Sequence, residues 1–125
     1  MYEVKIKTDF SAAHNLREVG GKCESLHGHN FTVEVVVEAE TLDEGGMVMD
    51  FRLLKSKAKE VLDAFDHKYL NELPFFGALN PSSENLAAFI FHELSRQIDR
   101  GSRRVIRVSV GESETSRATY RRPEK

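Results

Sequence analysis

Two stretches of strict alternation constrain the fold of this 125-residue chain more than anything else in it. In the first, Tyr2, Val4, Ile6, Thr8, Phe10, Ala12 and His14 alternate with Lys5, Lys7, Asp9 and Ser11. In the second, Phe31, Val33, Val35 and Val37 alternate with residues that include Glu34 and Glu38. Successive side chains of a strand point to opposite faces, so each stretch reads as a strand with one buried face. The second pattern extends back through His29 to His27, and both imidazoles then project from the buried face. His14 lies on the same parity at the far end of the first strand. Gly28 has no side chain, so backbone or ligand can come close between the two histidines.

Between and after these strands the periodicity changes. Phe51, Leu54, Ala58, Val61, Leu62 and Phe65 recur at steps of three and four, predicting a helix from about Phe51 to Phe65 with Asp50 as its N-cap. Pro74 and Pro81 bracket a loop. A second helix follows Asn80-Pro81-Ser82, capped by Ser82 or Ser83, with Leu86, Phe89, Ile90, Leu94 and Ile98 as its apolar stripe. Gly101 ends it, where a residue tolerant of positive φ is wanted. A third strand places Ile106, Val108 and Val110 on one face and carries that parity to Glu112. A short arginine-rich strand, near Ser116 to Arg122, comes last. The pattern predicts one α+β domain over residues 1–125: a four-stranded antiparallel sheet with two helices on one face, in the order ββααββ. A small open sheet leaves unpaired edges, so self-association is expected.

The chain is 40% hydrophobic and 30% charged, which is ordinary for a soluble fold. Its single cysteine excludes an internal disulfide, and a reducing cytoplasm is the simplest setting. The start, Met1 to Lys7, lacks the basic and apolar regions of a signal peptide. No apolar run approaches the ~20 residues that span a bilayer, so no membrane partner is expected. A net charge of −2 gives no electrostatic case for nucleic acid.

The chemistry concentrates in Cys23-Glu24-Ser25-Leu26-His27-Gly28-His29-Asn30. Imidazole is the commonest zinc ligand, and three protein ligands with one open position make a catalytic zinc. His14, His27 and His29 are the candidates. Alone, His14 reads first as a hydrogen-bonded core residue, and the His-x-His pair on a strand is what turns the reading toward a ligand; Cys23 as a fourth ligand would make the site closed and structural. Cys23 sits in a polar neighbourhood, where a nearby cation would make it a usable base or nucleophile. Asp66-His67 reads either as a helix end, with the imidazole on the dipole, or as a pair in which the acid orients the ring. Glu112 is an acid on an apolar face. Either a ligand with two parallel N–H groups, such as a pterin or guanine edge, meets it in bidentate fashion, or a nearby arginine does.

These residues fall into motifs that the chain shares with a known family. Phe10-Ser11-Ala12-Ala13-His14, Cys23-x-x-x-His27-Gly28-His29-Asn30, Met49-Asp50-Phe51, Asp66-His67-x-x-Leu70-Asn71, Asn80-Pro81-Ser82-Ser83-Glu84-Asn85-Leu86 and Val110-Gly111-Glu112-Ser113-x-Thr115-Ser116 follow in order over almost the whole length. In them the chain resembles the 6-pyruvoyl-tetrahydropterin synthase family, which includes the 6-carboxy-tetrahydropterin synthases of queuosine biosynthesis. The resemblance implies the tunnelling fold (T-fold), with zinc on His14, His27 and His29. It implies Cys23, Asp66 and His67 as the catalytic group and Glu112 as the pterin anchor. It further implies 7,8-dihydroneopterin triphosphate as substrate. The assembly implied is a homohexamer of two stacked trimers with sites at subunit contacts. Glu24 adds a Glu-x-x-His-Gly-His spacing, which resembles relatives that form 6-hydroxymethyl-7,8-dihydropterin for folate. Glu24 reads otherwise as a solvated loop charge. A 6-pyruvoyl-forming enzyme and a non-catalytic zinc- or pterin-binding module are the other readings of the same scaffold.

Overall fold

The alternating stretches pair with each other. In the computed structural model, which describes residues 1–21 and 25–123, β1 (Tyr2–His14) and β2 (His27–Ala39) run antiparallel over their full length. The register runs from Tyr2 opposite Ala39 to His14 opposite His27, with Ala12 opposite His29. The chain then forms α1 (Phe51–Leu62), the two-residue β3 (Lys68–Tyr69), α2 (Ser83–Ile98), β4 (Arg104–Ser113) and β5 (Ser116–Arg121). β4 pairs antiparallel with the free side of β2, and β5 with β4. β3 adds to the outer edge of β1, parallel, opposite Ala12 and Ala13.

The sheet therefore has five strands in the order β3-β1-β2-β4-β5, not the four antiparallel strands of the expected ββααββ order. The extra strand is too short to carry a period-2 signal. It forms because the turn after α1 returns the chain to the edge of β1, whose outward backbone groups need partners. His67 begins that contact, its N–H donating to the Ser11 carbonyl at 2.6 Å.

One face of the sheet carries both helices, α1 over β1 and α2 over β4 and β5. Phe10, Phe31, Val33, Val35 and Val37 meet Leu54, Ala58, Leu86, Ile90 and Leu94 in one core. Three details depart from the periodicity. α1 stops at Leu62, so Phe65 is buried from the following turn, while Phe51 is largely exposed. Gly101, at φ +59°, sits in the tight turn between Arg100 and Arg103, and Asp99 is the residue that ends α2. A register shift between Val36 and Val37 puts Val105 in the core and leaves Ile106 lining a cavity beside Arg104 and Arg107. Among the described residues no helix is long and apolar enough to cross a membrane.

Ser82 is the N-cap of α2, its hydroxyl accepting from the Asn85 N–H at 3.1 Å. Ser82→Ala removes that acceptor. Urea unfolding is expected to show a loss of about 1 kcal/mol; an unchanged midpoint and slope would mean that the cap contributes nothing.

Candidate metal centre

The strand register builds the centre. Antiparallel pairing sets His14 opposite His27, and the period of two returns His29 to the same face. The rings lie edge to face, with centroids 4.5 Å apart for His14 and His27, 4.8 Å for His27 and His29, and 5.3 Å for His14 and His29. One ligand nitrogen from each lies within 4.8 Å of the others. Phe31 stacks on Phe10 and turns its edge to both His14 and His29, giving the cluster an apolar wall.

Backbone carbonyls set the tautomers. His14 Nδ1 is 2.7 Å from the Pro81 carbonyl, and His27 Nδ1 is 2.6 Å from that of Ser25. A carbonyl only accepts, so each Nδ1 carries the proton and each Nε2 presents a lone pair. Burial pushes the pKa of His14 down, against the pull of the Pro81 carbonyl and Glu112, and the neighbouring His27 and His29 push the same way. The neutral ring is favoured. Yet His14 Nε2 and His29 Nε2 are buried without a hydrogen-bond partner. What faces them is the carboxylate of Glu112, with Oε1 3.5 Å from His14 Nε2 and Oε2 3.5 Å from His29 Nε2. The His14 lone pair turned toward a carboxylate oxygen calls for a cation between them. Neutral imidazoles with their other nitrogen held by a carbonyl are the usual donor set of a transition metal, so these residues fit one.

Glu112 reaches this place through a break in the β4–β5 ladder. Gly111 is opposite Arg117 and Ser113 opposite Ser116, so β4 has one more residue than β5 between the two pairs. The extra residue is Glu112. Bulges of this kind re-aim a side chain at a sheet rim.

Asp66 and His67 form a second group. Asp66 Oδ1 accepts from the Ser11 N–H at 2.9 Å, and Oδ2 is 3.1 Å from His67 Nδ1. The Ser11 N–H chiefly, and His67 besides, hold the Asp66 carboxyl below the usual carboxylate range. His67 has φ +59°, a left-handed backbone, and its ring is mostly exposed. The pair lines a cleft of about 260 Å³ with Thr8, Asp9, Ser11 and Lys59, and none of the three clustered histidines borders it. Within one chain the structure thus brings His14, His27, His29 and Glu112 together, while Asp66–His67 lines a separate cleft. Cys23 and Glu24 lie outside the described residues.

With this geometry in hand, the family model described as 6-pyruvoyl tetrahydropterin synthase matches residues 3–123. The chain belongs to that family. It is a family of pterin synthases, enzymes of lyase type. A 6-carboxy-5,6,7,8-tetrahydropterin synthase of Synechocystis is 38% identical over 128 residues, covering 98% of this chain and 95% of its relative. An Archaeoglobus fulgidus protein that carries the same name provisionally is 43% identical over 119 residues, 95% of each chain. Among solved structures, the Caenorhabditis elegans 6-pyruvoyl tetrahydropterin synthase superposes with a TM-score of 0.86 at 30% identity, covering 98% of this chain and 96% of the other.

Several residues of this pterin synthase give no sign of their role in the sequence. Pro81 and Ser25 act through carbonyls, which every residue has. Asn71 and Asn80 hold the loop that delivers Pro81. The Asn71 side chain accepts from the Asn15 N–H at 3.0 Å and donates to the Asn15 carbonyl at 2.9 Å. Asn80 does the same for Arg17, at 2.8 and 2.9 Å. Each amide thus stands in for a neighbouring strand. Arg17 in return donates to the carbonyls of Phe76 and Leu79. The available signal was the pair of asparagines flanking a loop, since such side chains bond backbone readily.

Elemental analysis of the purified protein is expected to find about one transition-metal ion per chain. His27→Ala should lose it while the circular dichroism spectrum stays unchanged. A wild-type protein free of metal after purification without chelator would contradict the fit.

Proposed function

We propose that this pterin synthase converts 7,8-dihydroneopterin triphosphate to 6-carboxy-5,6,7,8-tetrahydropterin, with zinc held by His14, His27 and His29. The observation that carries the reading is the pair of buried, unpartnered Nε2 atoms of His14 and His29. The names of the relatives support the carboxy product. When bound, zinc supplies Lewis acidity to the hydroxyls of the substrate side chain, so that a neighbouring proton can be removed.

The residues of the chain do the rest. Pro81 and Ser25 keep the Nδ1 protons of His14 and His27 in place, which leaves both Nε2 atoms as donors to the ion. Glu112 accepts the parallel N–H groups of the pterin amino-amide edge with its two oxygens. Asp66 holds His67 so that the far nitrogen of the ring takes and returns a proton, and Cys23 as thiolate does likewise. Loss of triphosphate leads toward a pyruvoyl product. In the carboxy product triphosphate leaves too, and the bond between the first two side-chain carbons breaks. The distal two carbons depart as an aldehyde, water supplies the second carboxylate oxygen, and the dihydro ring takes up the electron pair.

Asp66–His67 lines a cleft that none of the three clustered histidines borders, which supports sites completed at contacts between subunits. A homohexamer of two stacked trimers, acting in the cytoplasm, with residues 1–125 as one domain, fits this reading. Mixing tests it. His27→Ala and His67→Ala homo-oligomers are each expected to be inactive, and co-refolding them should restore a fraction of the activity. Restoration absent at every mixing ratio would mean that each chain carries a whole site.

Glu24 beside Cys23 is the observation behind a second product. A free thiol and a free carboxyl group differ in acidity by about four pH units, so thiolate and carboxylate favour different proton positions and bond cleavages. Chromatography of products from 7,8-dihydroneopterin triphosphate is expected to show loss of the carboxy product in Cys23→Ala by a factor of about 100. Glu24→Ala should lose only 6-hydroxymethyl-7,8-dihydropterin. If Glu24→Ala changes neither product, the second activity is not a property of this chain.

A further inference from the structure

The residue opposite Gly111 does something that the proposed chemistry has not used. Arg117 lies flat across β4 in the notch that Gly111 leaves. A methyl group built on Gly111 would stand 3.0 Å from Arg117 Cγ and 3.1 Å from its Cζ, with Nη1 closer still. Thr32 of β2, Gly111 of β4 and Arg117 of β5 form one row across three strands. Through the notch the guanidinium reaches the Thr32 hydroxyl and, at 3.3 Å, the Thr32 carbonyl. It also donates to the Ser109 hydroxyl at 3.0 Å and the Ser109 carbonyl at 3.1 Å. Arg117 Nε is 3.3 Å from Glu34, which Lys5 of β1 also meets at 3.2 Å. Despite its partial burial, Glu34 is held below the usual carboxylate range by Lys5 and Arg117.

One side chain therefore ties β5 to β2 across β4, and a second ion pair extends the tie to β1. Its place along the sheet matters. Gly111 directly precedes the bulged Glu112, the point where the β4–β5 ladder slips by one residue. A bulge weakens the local ladder, and a residue in it can swing unless its neighbours are fixed. Arg117 fixes the last regular row. It also borders, with Glu112, Ser82 and Ser116, a cavity of about 220 Å³.

We propose that Arg117 is a positioning residue that, seated in the Gly111 notch, holds the Glu112 bulge so that its carboxylate points at the histidine cluster and the pterin. This rests on the reading of Glu112 as the pterin anchor. A planar fork of five N–H donors serves two carbonyls, two hydroxyls and a carboxylate at once, which a lysine's single ammonium does not, so lysine is no substitute. The requirement for glycine at 111 follows. A side chain there forces the guanidinium out of its present seat.

The test is a double-mutant cycle on the metal-loaded full-length protein, read by neopterin binding (fluorescence quenching) and by thermal unfolding. Arg117→Ala is expected to weaken neopterin binding about tenfold. Gly111→Ala should weaken it by a similar factor, and the double variant by no more than Arg117→Ala alone, since the methyl clashes only with the arginine. Arg117→Lys, the mildest change, should recover little of the loss. Glu112→Gln calibrates the experiment. If it leaves neopterin binding unchanged, the reading of Glu112 fails and takes this proposal with it. If Glu112→Gln weakens binding and the Arg117 variants lower only the melting temperature, Arg117 is a structural strap and the proposal alone is overturned. Additive losses in the double variant also overturn it.

Discussion

Buried imidazole nitrogens facing a carboxylate govern this molecule. His14 and His29 turn buried Nε2 atoms toward the two oxygens of Glu112, and no donor among the described residues stands between them. Burial favours a neutral His14 against the pull of the Pro81 carbonyl and Glu112, and the carbonyl sets the ring's one proton on Nδ1. The arrangement becomes favourable when a cation enters. Much of the surrounding structure holds that unsatisfied set in place.

The register of β1 against β2 is the first device. Slipping the pairing by one residue would turn His27 and His29 to the other face of the sheet, and Phe31, Val33 and Val35 with them. Burying that row therefore specifies the metal cluster as a by-product: hydrophobic energy does the aligning. The second device is the loop between β3 and α2. Its asparagines clamp the backbone of residues 15 and 17, so that Pro81 arrives against His14 and Ser82 starts α2 immediately afterwards. Helix start and imidazole tautomer are thus fixed by adjacent residues.

The third device is the rim of β4. Two irregularities interrupt its pairing: one moves Val105 into the core, the other frees Glu112 from the ladder. Strand irregularities next to a ligand group are a common way to aim it. Asp66–His67 belongs to a different part of the fold, the β1 edge, where β3 and the Ser11 backbone hold it.

The long alternations by themselves determined most of the sheet, since a period of two over thirteen residues admits few other ways to bury Phe10, Phe31 and the valines. The same parity placed His14, His27, His29 and Glu112 on one face before any pairing was known, and the spacing of Leu54, Ala58, Leu86 and Ile90 marked both helices. Tertiary structure alone decided the short parallel β3, the two register shifts, and the carbonyls that choose the histidine tautomers. It also decided that Asp66–His67 lines a cleft that the three histidines do not border, and that Arg117 lies in the Gly111 notch. The physical reason is common to all of these. Hydrophobic periodicity is written in side chains and so can be read along the chain, whereas backbone hydrogen bonding and the choice of neighbouring strand involve groups that every residue carries, and only the folded arrangement selects among them.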